Sequence, residues 1–203
     1  CSAPTRRRSL TAALPAFLER NSAAVRVVAR DIPTTYVLGM FPGPGLGSPD
    51  FYPFMVASRL LSDRLFEEVR TKRNLSYAAY AGYSQRRTNF GYVYFNAAEP
   101  DTTLKVVFEQ VRRLQTEPLP AKDLADQIRL FITTYFLRIE TAGAQNEFLA
   151  RYALIGDGWK ETERFVEKLR KVAPADVQRV AQKYMRHYHF GAVGDSTKVN
   201  RTL

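Results

Sequence analysis

The sequence predicts a two-layer α+β domain, a largely antiparallel sheet with helices on one face. Three observations carry that expectation. Patterned segments follow the order strand, strand, helix, strand, strand, then four helical segments and a closing strand. The helical segments concentrate their apolar residues on single faces, as Leu104, Val107, Phe108, Val111 and Leu114 do in one and Val177, Val180, Ala181 and Tyr184 in another. The chain has 203 residues, 45% of them apolar and 25% charged, which suits one globular domain with a proper core.

Residues 1–22 read as a lead or linker: Cys1 to Arg8 is small, polar and basic, and Leu10 to Arg20 could form a short helix. The domain is expected over 23–196, with a tail at 197–203. Ala24 to Arg30 and Thr34 to Phe41 read as strands rich in branched and aromatic residues. Pro42 to Gly47 is a loop by its breakers. It lacks a following Gly-Lys-Ser/Thr, and its prolines remove amide donors, so it cannot cradle a phosphate. Ser48-Pro49-Asp50 supplies an N-cap, a first-turn proline and an acid for a helix running to about Arg70, with Val56, Leu60, Leu61, Leu65 and Val69 facing inward. Tyr77 to Tyr83 reads as a strand. A polar turn at Gln85 to Asn89 leads back along Phe90 to Ala97, most simply as a hairpin. Pro100 and Pro120 open two helices. The second carries Leu124, Ile128, Phe131, Ile132, Tyr135 and Ile139 in register, and either continues past Gly143 or restarts there. Trp159 begins a cationic helix to about Arg170, Pro174 opens the last helix, and Tyr188 to Val193 closes the chain as a strand.

Charge and composition narrow the function classes. Thirty Lys and Arg against twenty Asp and Glu give a net charge of +10, compatible with an acidic protein partner, an acidic substrate, nucleic acid or solubility alone. No apolar run approaches the ~20 residues that span a bilayer, and with no initiating Met or secretory pattern the chain reads as a processed or excised piece. A single cysteine, Cys1, excludes an internal disulfide framework and a cysteine zinc knuckle, and leaves a lipid-modified terminus open. Only two histidines exist, His187 and His189. Strand alternation would put both on one face, but two imidazoles without a third ligand make a weak metal site. Glu67, Glu68, Asp123 and Asp126 read as solvated helix faces rather than acid/base pairs.

The corner between the central helix and the Tyr77 strand is the most informative stretch. Arg70 lies on the last helical turn and Tyr77 at the strand entrance, so a short reversal between them could bring guanidinium and phenol to one rim. The plainer reading makes Arg70 a helix-end cation and Tyr77 an ordinary strand aromatic. Leu65-Phe66-x-x-x-Arg70 followed by Leu75-Ser76-Tyr77, with Arg and Tyr seven apart, resembles the corresponding corner in the second, zinc-free half of the M16 peptidases (pitrilysin, insulinase and mitochondrial processing peptidase). That family usually has Gly where this chain has Asn74, a residue that also tolerates a left-handed turn. The Gly-rich step that commonly precedes Ser62-Asp63-Arg64-Leu65 in the family is absent here. The element order over roughly residues 23 to 196 resembles one M16 half throughout, including Pro174-x-Asp176-Val177 and the terminal Gly194-Asp195.

The resemblance implies a LuxS/MPP-like metallohydrolase half in which Arg70 and Tyr77 bind substrate near the zinc of the other half, Tyr77 hydrogen-bonding the scissile carbonyl. The His-x-x-Glu-His signature of the active half is missing, so no catalytic or metal-ligating residue is expected in this chain, which alone should not hydrolyse peptides. Zinc and the general base would belong to a catalytic M16 half, on the same polypeptide or a separate subunit, with a peptide as substrate and no nucleic acid or membrane span involved. Compartment stays open between bacterial periplasm and cytoplasm. Two alternatives remain: an inactive structural homologue like the core subunits this family contributes to respiratory complexes, and a basic nucleic-acid-binding domain, for which no recognition helix or base-stacking motif is evident.

Overall fold

The computed structural model describes residues 22–86 and 89–200. The expected lead, including Cys1, Arg6-Arg7-Arg8 and the Leu10 to Arg20 helix, lies outside the described residues, as does the end of the tail.

Strands β1 (Ala24–Ala29) and β2 (Thr35–Pro42) lead into helix α1 (Phe51–Leu65), which continues through a π-helical turn, Phe66–Thr71. Hairpin strands β3 (Ala79–Ser84) and β4 (Phe90–Ala97) follow, then α2 (Pro100–Thr116), α3 (Ala121–Arg138) and α4 (Ala142–Ile155). A 3₁₀ turn (Trp159–Arg164) opens α5 (Phe165–Arg170). The last elements are α6 (Pro174–Tyr184) and β5 (His189–Gly194). The five strands stand in the order β1-β5-β2-β4-β3, antiparallel except for the β1–β5 pair.

Side-chain alternation decides which face is covered. In β2, Thr35, Val37 and Phe41 are buried while Tyr36, Leu38 and Met40 are exposed, and β4 repeats the pattern with Val93, Phe95 and Ala97 inward. Phe190 lies directly across from Gly39 and Phe41 across from Gly91. In both places a Cβ on the glycine would collide with the ring, so each glycine makes room for a core aromatic. The helical layer is organised by α1, whose Phe51, Phe54, Met55, Val56, Leu61 and Leu65 are almost wholly buried. The opposite sheet face is left bare, with Tyr36, Leu38, Met40, Tyr80 and Val193 all exposed.

Local details differ from expectation in instructive ways. Helix α1 begins at Phe51, and the Ser48 hydroxyl accepts only from the Asp50 N–H, at 3.2 Å. Asp50 turns inward, where Arg179 (2.5 Å), Lys183 (2.8 Å) and the Tyr184 hydroxyl (2.9 Å) converge on its carboxylate. Burial would raise that carboxyl, but hydrogen bonds from Lys183, Arg179 and Tyr184 prevail and hold it at about 2. Asp50 therefore locks the start of α1 to α6. The α3 pattern stops at Arg138 and helix restarts at Ala142, where the Thr141 hydroxyl caps the Ala144 N–H.

Candidate functional site

The helix-to-strand corner is built by hydrogen bonds wider than those of an α-helix. Lys72 N–H reaches the Glu67 carbonyl at 2.9 Å, five residues back, and Leu75 N–H reaches Val69 at 2.9 Å, six back. Asn74, which donates to the Arg70 carbonyl at 3.0 Å, has φ +49°, the left-handed conformation that reverses the chain. Val69 is fully buried in this turn, so the adjacent Arg70 is directed to its rim. Glu68 fastens the turn. It accepts from Lys72 at 2.7 Å and from Arg73, which also donates to the Glu68 carbonyl at 2.9 Å. Lys72 first and Arg73 second hold the Glu68 carboxyl at about 2, so this residue is an internal tie rather than part of a solvated face.

The turn's other cations are thus neutralised, while Arg70 has no carboxylate partner among the described residues. Its guanidinium lies over two rings instead, 5.0 Å from the centroid of Phe66 and 4.4 Å from that of Tyr77. Phe66 sits one turn back on the same helix, and Tyr77 arrives from the other side of the reversal. The expected pair is therefore in contact, with the guanidinium over the Tyr77 ring and a third residue, Phe66, sharing it. Among the described residues neither the Arg70 guanidinium nor the Tyr77 hydroxyl makes a side-chain hydrogen bond, and Tyr77 is 78% exposed.

Tyr77 is held from beneath. It lies two residues before β3, between Ser76 and Ala78, and both of these are anchored to Asn96 on β4. Ala78 N–H donates to Asn96 Oδ1 at 3.2 Å, Asn96 N–H donates to the Ala78 carbonyl at 3.3 Å, and the buried Ser76 hydroxyl donates to that carbonyl at 2.8 Å. Sequence reasoning missed Asn96 and the stacking role of Phe66. The available signal was a lone amide in an otherwise apolar strand, which needs a partner when half-buried.

The remaining sequence candidates are dispersed. His187 has φ +55°, a left-handed kink that breaks the alternation expected to align it with His189, which opens β5. Asp126 pairs with Lys122 at 2.8 Å and with Arg129, and Asp123 is exposed. Among the described residues no group of three or more His, Cys, Asp or Glu is placed to hold a metal ion, so these side chains do not fit a zinc site. No helix described is long and apolar enough to cross a membrane.

A sequence profile described as the peptidase M16 inactive domain matches residues 11–131. No curated protein sequence matches the chain. Among solved structures, the peptidase M16 inactive domain from Pseudomonas fluorescens superposes with a TM-score of 0.78 at 17% identity, over 90% of this chain and 45% of that one. The inactive peptidase domain of a putative zinc protease from Bordetella parapertussis gives 0.70 at 20% identity, over 81% and 94%. A chain of complex III2 from Candida albicans gives 0.72 at 16%, over 85% and 46%. At these identities the likeness establishes the fold, and the chain spans less than half the length of several such relatives.

Proposed function

The chain belongs to the family of M16 peptidase inactive domains, and from that premise we propose that it is the non-catalytic half or subunit of an M16-type zinc peptidase. It closes the peptide chamber and binds substrate through Arg70 and Tyr77. The observation that supports this reading is the corner itself: the Arg70 guanidinium lies over the ring of the exposed Tyr77, neither group has an acidic partner among the described residues, and the π turn and the Asn96 anchor hold them there. The bare, phenol-rich sheet face, too apolar to be left in water without a reason, supplies a wall for the chamber. On this reading zinc would be held by the catalytic half and would supply activation of water and polarisation of the carbonyl there. In this chain Tyr77 donates to the carbonyl oxygen as negative charge develops on it, and Arg70 engages neighbouring backbone carbonyls of the bound peptide.

The test is kinetic. In the assembly with its catalytic half, Tyr77→Phe keeps the ring under Arg70 and removes only the hydroxyl, so kcat should fall roughly 10- to 1,000-fold with little change in KM. Arg70→Ala should act more on KM. The likeness to a complex III2 chain favours a second reading, an assembly subunit without a proteolytic role. On that reading no peptide hydrolysis accompanies the assembly. A Tyr77→Phe assembly cleaving at the parental rate would remove the catalytic role assigned here.

A further inference from the structure

Beside β3, on the side away from β4, runs a groove of about 690 Å³ bordered by α1, α3 and α4. β3 is the last strand of the sheet, so one of its edges has no neighbour. Ala78 and Asn96 pair across the ladder through the Asn96 N–H, and antiparallel alternation then turns the N–H and C=O groups of Ala79, Ala81 and Tyr83 to the outer side. By the same count the Gln85 carbonyl points outward, and there the Arg151 guanidinium of α4 donates to it at 3.4 Å. The corresponding groups of Ala81 and Tyr83 have no such partner among the described residues, whereas Ala79 is only 4% exposed and offers no open edge.

Exposed strand edges are ordinarily guarded by a charge, a proline or a covering element. β3 reads Ala-Tyr-Ala-Gly-Tyr-Ser and carries neither charge nor proline. Its flank is shaped instead: Phe51, Phe131, Tyr135 and Phe148 line the groove, and the Tyr92 ring lies across Gly82, where a Cβ would come within 2.7 Å of the phenol carbon. On the floor Ser58 is 1% exposed, and its hydroxyl has no hydrogen-bond partner, a buried polar group that protein atoms leave unsatisfied. The rim is basic. Arg59 pairs with Asp63 and Arg151 with Glu147, but Arg138 meets no carboxylate among the described residues.

We propose that this groove binds an extended acidic peptide segment as a sixth strand on the edge of β3. Its backbone pairs with Ala81 and Tyr83, alternate side chains enter the aromatic flank, and carboxylates meet Arg138 and the adjoining guanidinium groups. The site is distinct from the Arg70–Tyr77 corner and does not depend on a catalytic partner, so the two proposals fail separately.

The experiment uses the 203-residue chain and a fluorescently labelled peptide of about eight residues, near the length of one strand, alternating valine with glutamate. Fluorescence polarisation should show saturable binding. A copy N-methylated on alternate amides should bind at least tenfold more weakly, and a copy with lysine in place of glutamate should not bind. Arg138→Glu should cost about tenfold. Ala81→Pro removes one outward N–H without touching the ladder to β4, and should weaken binding by a similar factor with the melting temperature retained. Equal binding of methylated and unmethylated peptides would overturn strand addition whether or not the proline variant folds. Equal binding of the glutamate and lysine peptides would overturn the acidic specificity, and the absence of saturable binding would overturn the site.

Discussion

Replacing Asp50 with Asn tests the polar tie between the start of α1 and α6. Its carboxyl sits at about 2, against an ordinary 3.8, because hydrogen bonds from Lys183, Arg179 and Tyr184 outweigh its burial. At about 1.4 kcal/mol for each tenfold change in proton affinity, the ionised form is stabilised in the folded state by roughly 2 to 3 kcal/mol. A depressed carboxyl contributes stability that is complete above its unfolded value near 4 and is lost as pH falls through about 2. Asp50→Asn should therefore lower stability by roughly 2 to 3 kcal/mol at neutral pH, or about 4 to 12 °C in Tm, and should converge with the parent near pH 2. The loss should not exceed this range, because Arg179 and Lys183 are half-exposed and can hydrate, and Arg179 retains Asp176 at 3.2 Å. Urea unfolding of both proteins at a series of pH values measures it. A difference that stays constant down to pH 2, or that is absent at neutral pH, would refute the linkage.

Two further substitutions probe the corner. Asn96→Ala orphans the half-buried Ala78 N–H and should cost about 1 to 2 kcal/mol, while Asn96→Asp keeps an acceptor and should recover most of that loss; chemical denaturation reads both, and equal losses would show that the hydrogen bond is not the cause. Asn74→Gly should leave Tm nearly unchanged, because glycine accepts the left-handed turn freely, whereas Asn74→Val should cost on the order of 1 to 2 kcal/mol. A valine variant as stable as the parent would mean that the turn relaxes to another conformation.

The layer architecture was legible because period-2 and period-3.6 patterns survive in isolation. Pro100, Pro120 and Pro174 marked helix starts within a residue of where they fall. What escaped depends on distance or on ambiguity of period. Leu61, Leu65 and Val69 recur every fourth residue, which an α-helix and a π turn satisfy about equally, so the widening after Leu65 left no trace in the pattern. Asp50 looked like a local capping acid because Arg179, Lys183 and Tyr184 lie more than a hundred residues away in the chain. His187 and His189 seemed aligned because nothing in His-Tyr-His announces a left-handed residue.

Magnitudes help decide what the corner is for. Cation–π contacts at exposed positions contribute about 0.5 to 1 kcal/mol each, so the Phe66–Arg70–Tyr77 stack supplies little stability. It also keeps two large rings substantially in water, Phe66 at 49% exposure and Tyr77 at 78%. A stabilising device would bury those rings, as the Asp50 cluster buries its carboxylate. What the stack does restrict is motion: an arginine side chain loses up to roughly 2 kcal/mol of rotamer freedom when fixed, and here the two rings restrain it before any ligand arrives. On the proposed reading, a peptide carbonyl would meet a guanidinium already in place, at a smaller entropic cost than a free side chain would impose. Lysine could not substitute, since its ammonium has neither the flat faces to stack nor a fixed fork of donors.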